Sequence, residues 1–336
     1  MSENSIRWGL IGASTIARER LVNAIRSNGG DITAVCSSNQ GRADAFADAL
    51  SIPGRTTDLV ELFDRCDAVY VSSVNRLHYA HVIAAAAAGK HILCEKPLAT
   101  SLDEASEMIG ECRRTGVVLG VNHHLRGSTV NREMAALVRS GAIGQPLFAR
   151  VVNAGVLPGH LHRGRLTDEA GNGIIFDKAT HDIDLLRYLL EETPCEVTAM
   201  TSDVLMGSSS IAQAVMSTMR FASGLFAQTF DAFNVPGSAT EVVINGTEGS
   251  FYASDCLSSR PAGTLKLVTS AGERPIQLQH VDPYGEVIRQ FHLAITTGID
   301  PLATGEDGRI ALSIAIAMSI AAQSHSFMPI ETLGLR

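Results

Sequence analysis

The string Gly12-Ala13-Ser14-Thr15-Ile16-Ala17 stands where a G-x-G-x-x-G/A turn would, with Ser14 in the second glycine's position and Ala17 in the third's. Such a turn brings backbone N–H groups at a helix start up to a pyrophosphate, so Gly12, Ala13, Ser14, Thr15, Ile16 and Ala17 are candidate dinucleotide contacts. Ser14 adds a Cβ and offers a hydroxyl donor; the competing reading is an ordinary strand-to-helix turn. About twenty residues on, where an acid would bind a ribose 2′-hydroxyl, the chain reads Cys36-Ser37-Ser38-Asn39-Gln40-Gly41-Arg42, and no Asp or Glu falls between Ile32 and Ala43. Nothing in that stretch repels a 2′-phosphate, while Ser37, Ser38 and Arg42 can donate to one. NADP(H) is therefore expected in preference to NAD(H), against the plainer reading of Arg42 as a solvated first-turn residue.

Two further strings carry ionisable groups. Lys96, in Cys94-Glu95-Lys96-Pro97, closes an apolar run that reads as a parallel strand. Ligands of open α/β sheets bind at the carboxyl ends of strands, so this Lys could donate to a carbonyl or hydroxyl oxygen; a lone Lys there is more often simply exposed. In Asp177-Lys178-Ala179-Thr180-His181-Asp182-Ile183-Asp184, positions 177, 181 and 184 share one face of an α-helix. An imidazole between carboxylates suits proton transfer near neutral pH. A capping acid and a D-x-x-x-H metal pair remain alternatives; the metal reading lacks a third ligand at suitable spacing, with His123, His124, His160 and His162 as remote contributors. No metal is expected.

The elements that must position these residues follow from the hydrophobic pattern. The first third alternates strand and helix: Ile6–Gly12, then a helix over Ser14–Asn28, a strand at Ile32–Cys36, a helix over Arg42–Leu50 and a short helix capped by Thr57-Asp58. Strand Ala68–Ser73, helix Leu77–Ala88, strand His91–Cys94, helix Leu102–Thr115 and strand Val117–Val121 complete it. That rhythm predicts a Rossmann-type, doubly wound parallel sheet covered on both faces. After Asn122 the rhythm changes. Helices over Val130–Arg139 and Phe176–Leu190 mix with strands at Phe148–Val156, Val197–Asp203, Ala214–Phe221, Leu225–Phe233, Thr240–Asn245 and Thr264–Val268, which predicts an α/β domain with a largely antiparallel, open-faced sheet. The expected domains are residues 1–122, binding the dinucleotide, and 123–336, binding substrate and other subunits.

Composition bounds the partners. The chain has 336 residues, 45% apolar and 18% charged, enough for two substantial cores. Its formal charge of −8, with no long basic run, argues against duplex DNA or an anionic membrane as a partner. Cys36, Cys66, Cys94, Cys112, Cys195 and Cys256 show neither C-x-x-C nor zinc spacing and read as reduced thiols in a cytoplasmic protein. Met1–Trp8 lacks a signal peptide's apolar region, and Ile310–Ala322 is too short to span a bilayer and reads as a core helix.

Taken together, G-x-x-G-A-S-T-I-A, A-G-K-H-I-L-C-E-K-P and D-x-x-x-H-D-x-D resemble the Gfo/Idh/MocA family of sugar-type oxidoreductases. The likeness extends through Ser73–His78, Gly120–Arg126, Leu157–Leu161, Gly246–Ser250 and Ala303–Gly308, over essentially the whole chain. It implies an NADPH-dependent oxidoreductase that reduces the carbonyl of a sugar derivative. Ser73, Asn75, His78, Glu95, Lys96, Asn122, Arg163 and Arg165 would join the cofactor contacts, and Lys96, His124, His160, Asp177 and His181 would meet the substrate. It further implies that His181 donates the proton, Lys96 polarises the same oxygen, Asp177 anchors the sugar or the imidazole, and the open sheet makes homo-oligomer contacts. Gly164 stands where the resemblance leads to an aromatic residue, which bears on substrate identity more than on reaction class. Three alternatives stay open: a dehydrogenase of another sugar or polyol of the inositol or glucose type, a glycoside-processing enzyme using transient oxidation, and a nonenzymatic dinucleotide-binding sensor.

Overall fold

The computed structural model describes residues 5–166, 171–203 and 211–330. Its contacts divide the chain into two units, Met1–Gly127 with Tyr284–Arg309, and Ser128–Pro283 with Ile310–Arg336. The change of rhythm places the boundary after Asn122, whereas the contacts divide the chain after Gly127. It does not anticipate the return of Tyr284–Arg309 to the first unit.

The first unit holds a six-stranded parallel sheet of β1 (Arg7–Ile11), β2 (Asp31–Cys36), β3 (Gly54–Thr56), β4 (Ala68–Val71), β5 (His91–Cys94) and β6 (Leu119–Val121), ordered β3-β2-β1-β4-β5-β6. This is the dinucleotide-fold order, with its switch point between β1 and β4. Every residue of β4 is buried, as a strand covered on both faces requires. The helices between strands are closed by their own caps. The Asn39 side chain accepts the Arg42 N–H and that of Ser101 the Glu104 N–H, while Gly116, at φ +72°, ends helix Leu102–Thr115. Helix Pro283–Thr297 supplies Tyr284, Val287, Ile288 and Phe291 to the core around Trp8, Leu21, Ile25, Phe46 and Tyr70. Trp8 Nε1 donates to His292 Nε2 at 3.0 Å and packs its ring against Phe291.

The second unit holds a nine-stranded sheet of β7 (Pro146–Ala154), β8 (Glu196–Ser202), β9 (Ala214–Arg220), β10 (Phe226–Ala232), β11 (Glu241–Gly246), β12 (Gly249–Ser254), β13 (Thr264–Thr269), β14 (Gly272–Ile276) and β15 (Met328–Pro329). The order is β14-β13-β12-β11-β7-β10-β9-β8-β15, antiparallel except where β10 runs parallel to β7. Residues alternate across it. Ala149, Val151, Val215, Met219, Ala227, Ile244, Phe251 and Leu265 are buried on one face; Met200, Met216, Phe226 and Tyr252 are exposed on the other. Ile310–Ala322 lies, as expected of a core helix, within helix Gly305–Ser324.

Two helices differ from expectation in the same way. The helix expected over Ser14–Asn28 contains a π-turn at Ala17–Leu21 ahead of the α-helical Val22–Ser27. The helix expected over Phe176–Leu190 opens with a π-turn at Ile175–Ala179 and becomes α-helical only at Thr180–Leu190. A π-turn carries an extra residue per turn, so side-chain spacing through Ile175–Ala179 departs from that of a regular α-helix.

Candidate active site

At the first turn, Gly12 has φ +113°, and a Cβ there would lie 2.8 Å from the Ser72 carbonyl oxygen. Glycine is thus required by both conformation and the close approach of the β4 end. The first helical bond runs from Arg18 N–H to the Ser14 carbonyl at 3.1 Å, which leaves the N–H groups of Thr15 and Ile16 at the open end of the helix. Ser14 acts differently from the expected phosphate donor. Its hydroxyl accepts the Ala17 N–H at 3.1 Å and donates to Ser72 Oγ at 2.8 Å, so it caps the helix and ties the turn to β4. The cradle that glycine leaves fits a pyrophosphate, with Gly12–Ala17 as its backbone.

At the end of β2, Ser37 is buried while Ser38 and Arg42 are exposed. Carboxylates absent from the local sequence do approach this region from the segment after β3. Burial, and after it the charges of Asp58 and Glu61, push the Cys36 thiol up to about 11. Both acids are already engaged: Asp58 accepts the Val60 N–H, and Glu61 accepts from the Thr56 hydroxyl and pairs with Arg65 at 2.6 Å.

The ends of β4, β5 and β6 converge on Glu95. Its Oε1 accepts from the Tyr70 hydroxyl and from Asn122 Nδ2, both at 2.5 Å. Tyr70 is fully buried, and burial followed by the adjacent Glu95 charge pushes its hydroxyl pKa well up, so it remains a donor. Lys96 follows, half-buried, before a cis Lys96–Pro97 peptide. His124 stacks face to face on Tyr284, ring centres 4.6 Å apart. Its pKa is pushed down to about 3, first by burial and then by the Lys96 charge, which keeps the ring neutral at working pH. Asn75 sits in the short helical turn Asn75–Leu77 after β4, and the Ser73 hydroxyl meets His81 Nδ1 at 2.9 Å.

His78 departs from its expected role. The ring is fully buried, with Nδ1 2.9 Å from the Pro97 carbonyl and Nε2 3.1 Å from that of Ser73. It ties the loop after β4 to the loop after β5 and presents no edge to a ligand.

In the second unit, Asp177 lies in the π-turn and His181 in the first turn of the following helix. Asp177 pairs with Arg165 Nη1 at 2.8 Å, an ion pair that neutralises and orients this carboxylate. The Thr180 hydroxyl donates within the turn, with the Ile175 carbonyl at 3.0 Å and that of Phe176 at 3.1 Å. His160 is exposed, and His162 Nε2 lies 3.1 Å from the Leu157 carbonyl. Arg163 belongs to the helical turn His162–Arg165, and its side chain, like position 164, lies outside the described residues. No cluster of three metal-ligating side chains occurs among the described residues.

Residues 6–123 match the family model described as "Oxidoreductase family, NAD-binding Rossmann fold", and residues 131–252 match the "GFO/IDH/MocA C-terminal domain". The chain belongs to the Gfo/Idh/MocA family. Among its curated relatives, the 1,5-anhydro-D-fructose reductase of Ensifer adhaerens is 42% identical over 97% of this chain and 99% of its own. The myo-inositol 2-dehydrogenase of Thermotoga maritima is 27% identical over 93% and 95%. The crystal structure of aldose-aldose oxidoreductase from Caulobacter crescentus superposes with a TM-score of 0.88 at 22% identity, covering 97% of this chain and 99% of that one, and shows the same fold. This Gfo/Idh/MocA member is thus an NAD(P)-dependent oxidoreductase of the class that acts on CH–OH or C=O groups of sugars, with an α/β Rossmann domain and a largely antiparallel second domain.

Sequence reasoning missed Tyr70 and Tyr284 as supports of Glu95 and His124. The 284, 287, 288, 291 spacing behind a proline at the first helical position would have revealed the helix that carries Tyr284.

Proposed function

We propose that this oxidoreductase reduces the carbonyl of a sugar derivative with NADPH, and that the substrate is 1,5-anhydro-D-fructose, reduced to 1,5-anhydro-D-mannitol. The observation that carries this reading is the 42% identity, over nearly the full length of both chains, to a protein of that named activity. The retention of Glu95-Lys96 and of Asp177 with His181 supports it.

Gly12–Ala17 would hold the pyrophosphate, Ser37, Ser38 and Arg42 the 2′-phosphate, and Ser73, Asn75, Glu95 and Asn122 the remainder of the dinucleotide. When bound, NADPH supplies the hydride. In this reading Lys96 stabilises the negative charge that develops on the carbonyl oxygen, and His181 supplies the proton that completes the hydroxyl. Asp177, balanced by Arg165, orients the sugar hydroxyls, and neutral His124 contributes hydrogen bonding without charge. Exposed Met200, Met216 and Phe226 on the outer sheet face support association of the second domain with a further copy of the chain.

The test is turnover by Lys96→Ala and His181→Ala. Each is expected to lose about 10²-fold or more in kcat while NADPH affinity, read by fluorescence, stays within about twofold. Unchanged turnover in either variant overturns the role assigned to that residue.

A further inference from the structure

Behind the π-turn lies a charged cluster that the proposed chemistry does not use. Asn153 and Asp231 are register partners on the parallel strands β7 and β10 and are both buried on the inner sheet face. Asp182, fully buried in the helix Thr180–Leu190, accepts from Asn153 Nδ2 at 3.0 Å and faces the carboxyl of Asp231. Oδ2 of Asp182 and both carboxyl oxygens of Asp231 are buried without a close protein hydrogen bond, the Thr229 hydroxyl being the donor group that faces Asp231. Lys178, within the π-turn, reaches over the strand ends and donates to the Ala232 carbonyl at 3.1 Å. The other ionisable groups facing this cluster are Asp177 with its partner Arg165, and Cys256, whose thiol is pushed up to about 12 chiefly by burial.

Two facing buried carboxyls cannot both ionise, and a proton on one supplies the donor that the other lacks. The pair then carries one negative charge, which the Lys178 ammonium balances. Burial raises both carboxyls, which favours a shared proton; burial also works against the Lys178 ammonium, and the charges of Asp231, Asp182 and Asp177 oppose that and hold the proton on Lys178. Lys178 and Asp182 flank the residues of interest: Asp177 precedes one and His181 precedes the other. The π-turn is thus fastened to the ends of β7 and β10 through Lys178 and Asp182.

We propose that Lys178 and the proton-sharing Asp182–Asp231 pair form a neutral buried cluster that positions the Asp177/His181 turn, making these three positioning residues for the reaction. The proposal rests on the assignment of His181 as proton donor.

The experiment compares Lys178→Met with Lys178→Met/Asp182→Asn/Asp231→Asn, in which the whole cluster is neutral. The single variant leaves an uncompensated charge that a second proton can remove. Its kcat is expected to fall about tenfold at pH 8, with cofactor KM little changed, and its ratio to wild-type kcat to climb as pH is lowered towards 6. The triple variant should recover most of kcat and show a pH-independent ratio. A triple variant as poor as the single one, or a flat ratio in the single one, overturns the proposal. If wild type turns over no sugar carbonyl, the functional reading fails, and the cluster is read instead by NMR titration of the His181 ring. Its midpoint should rise by about half a unit in Lys178→Met and return in the triple variant; an unmoved midpoint overturns the proposal.

Discussion

His124 shows how neighbours decide what a residue can do. A histidine beside Lys96 invites assignment as a proton donor, but burial and the Lys96 charge push it down to about 3. Its folded pKa lies below the unfolded value near 6.5, so between those values the unfolded chain binds the extra proton and stability falls as pH falls. The first domain's thermal midpoint should drop from pH 7 to pH 4, and His124→Asn should flatten that slope. A slope unchanged by the substitution would show that His124 does not carry the effect. The side-chain types at this site were readable from the string around residues 94–97 and 122–124, but their roles were not. Glu95 is held by Tyr70 from another strand, and His78 is occupied by two carbonyls, because such partners are set by strand order and not by chain proximity.

Elements were readable where period and caps agreed. The β1 strand, the helix after Asn39 and the helix from Leu102 to Thr115 each carry their own punctuation. The two π-turns were not, since one extra residue in a turn leaves the hydrophobic pattern nearly intact while rotating the side chains before it. The short strand Gly54–Thr56 and the strands Gly249–Ser254 and Gly272–Ile276 also lack a distinctive run and are held by pairing with neighbours. At the first turn, geometry yields a direct expectation. Gly12→Ala places a Cβ against the Ser72 carbonyl in a conformation that L-residues avoid, a cost of about 1–3 kcal/mol. Isothermal titration should show weaker cofactor binding by at least about tenfold; affinity equal to wild type would mean that the turn is not the dinucleotide cradle.

At the scale of the molecule, alternation of strand and helix followed by a run of strands sufficed to foresee a Rossmann domain and an open sheet. The return of Tyr284–Arg309 to the first unit was hidden because a late helix carries no mark of which core it joins. The exposed face of the nine-stranded sheet gives the oligomer expectation. Met200 pairs with Met216 across β8 and β9, Met216 pairs in turn with Phe230 of β10, and Phe226 lies exposed further along β10 on the same face. Sedimentation velocity should find wild type larger than a monomer and Met216→Glu/Phe226→Glu shifted towards monomer; a monomeric wild type would remove this surface from the reading.

The most direct measurement is the absorbance decay of NADPH, and separately of NADH, when the purified protein is mixed with 1,5-anhydro-D-fructose. Decay much faster with NADPH is the predicted result, joining the reaction to Ser37, Ser38 and Arg42. No decay with either, in protein that demonstrably binds the cofactor, would contradict the assigned substrate, and faster decay with NADH would contradict the assigned 2′-phosphate site.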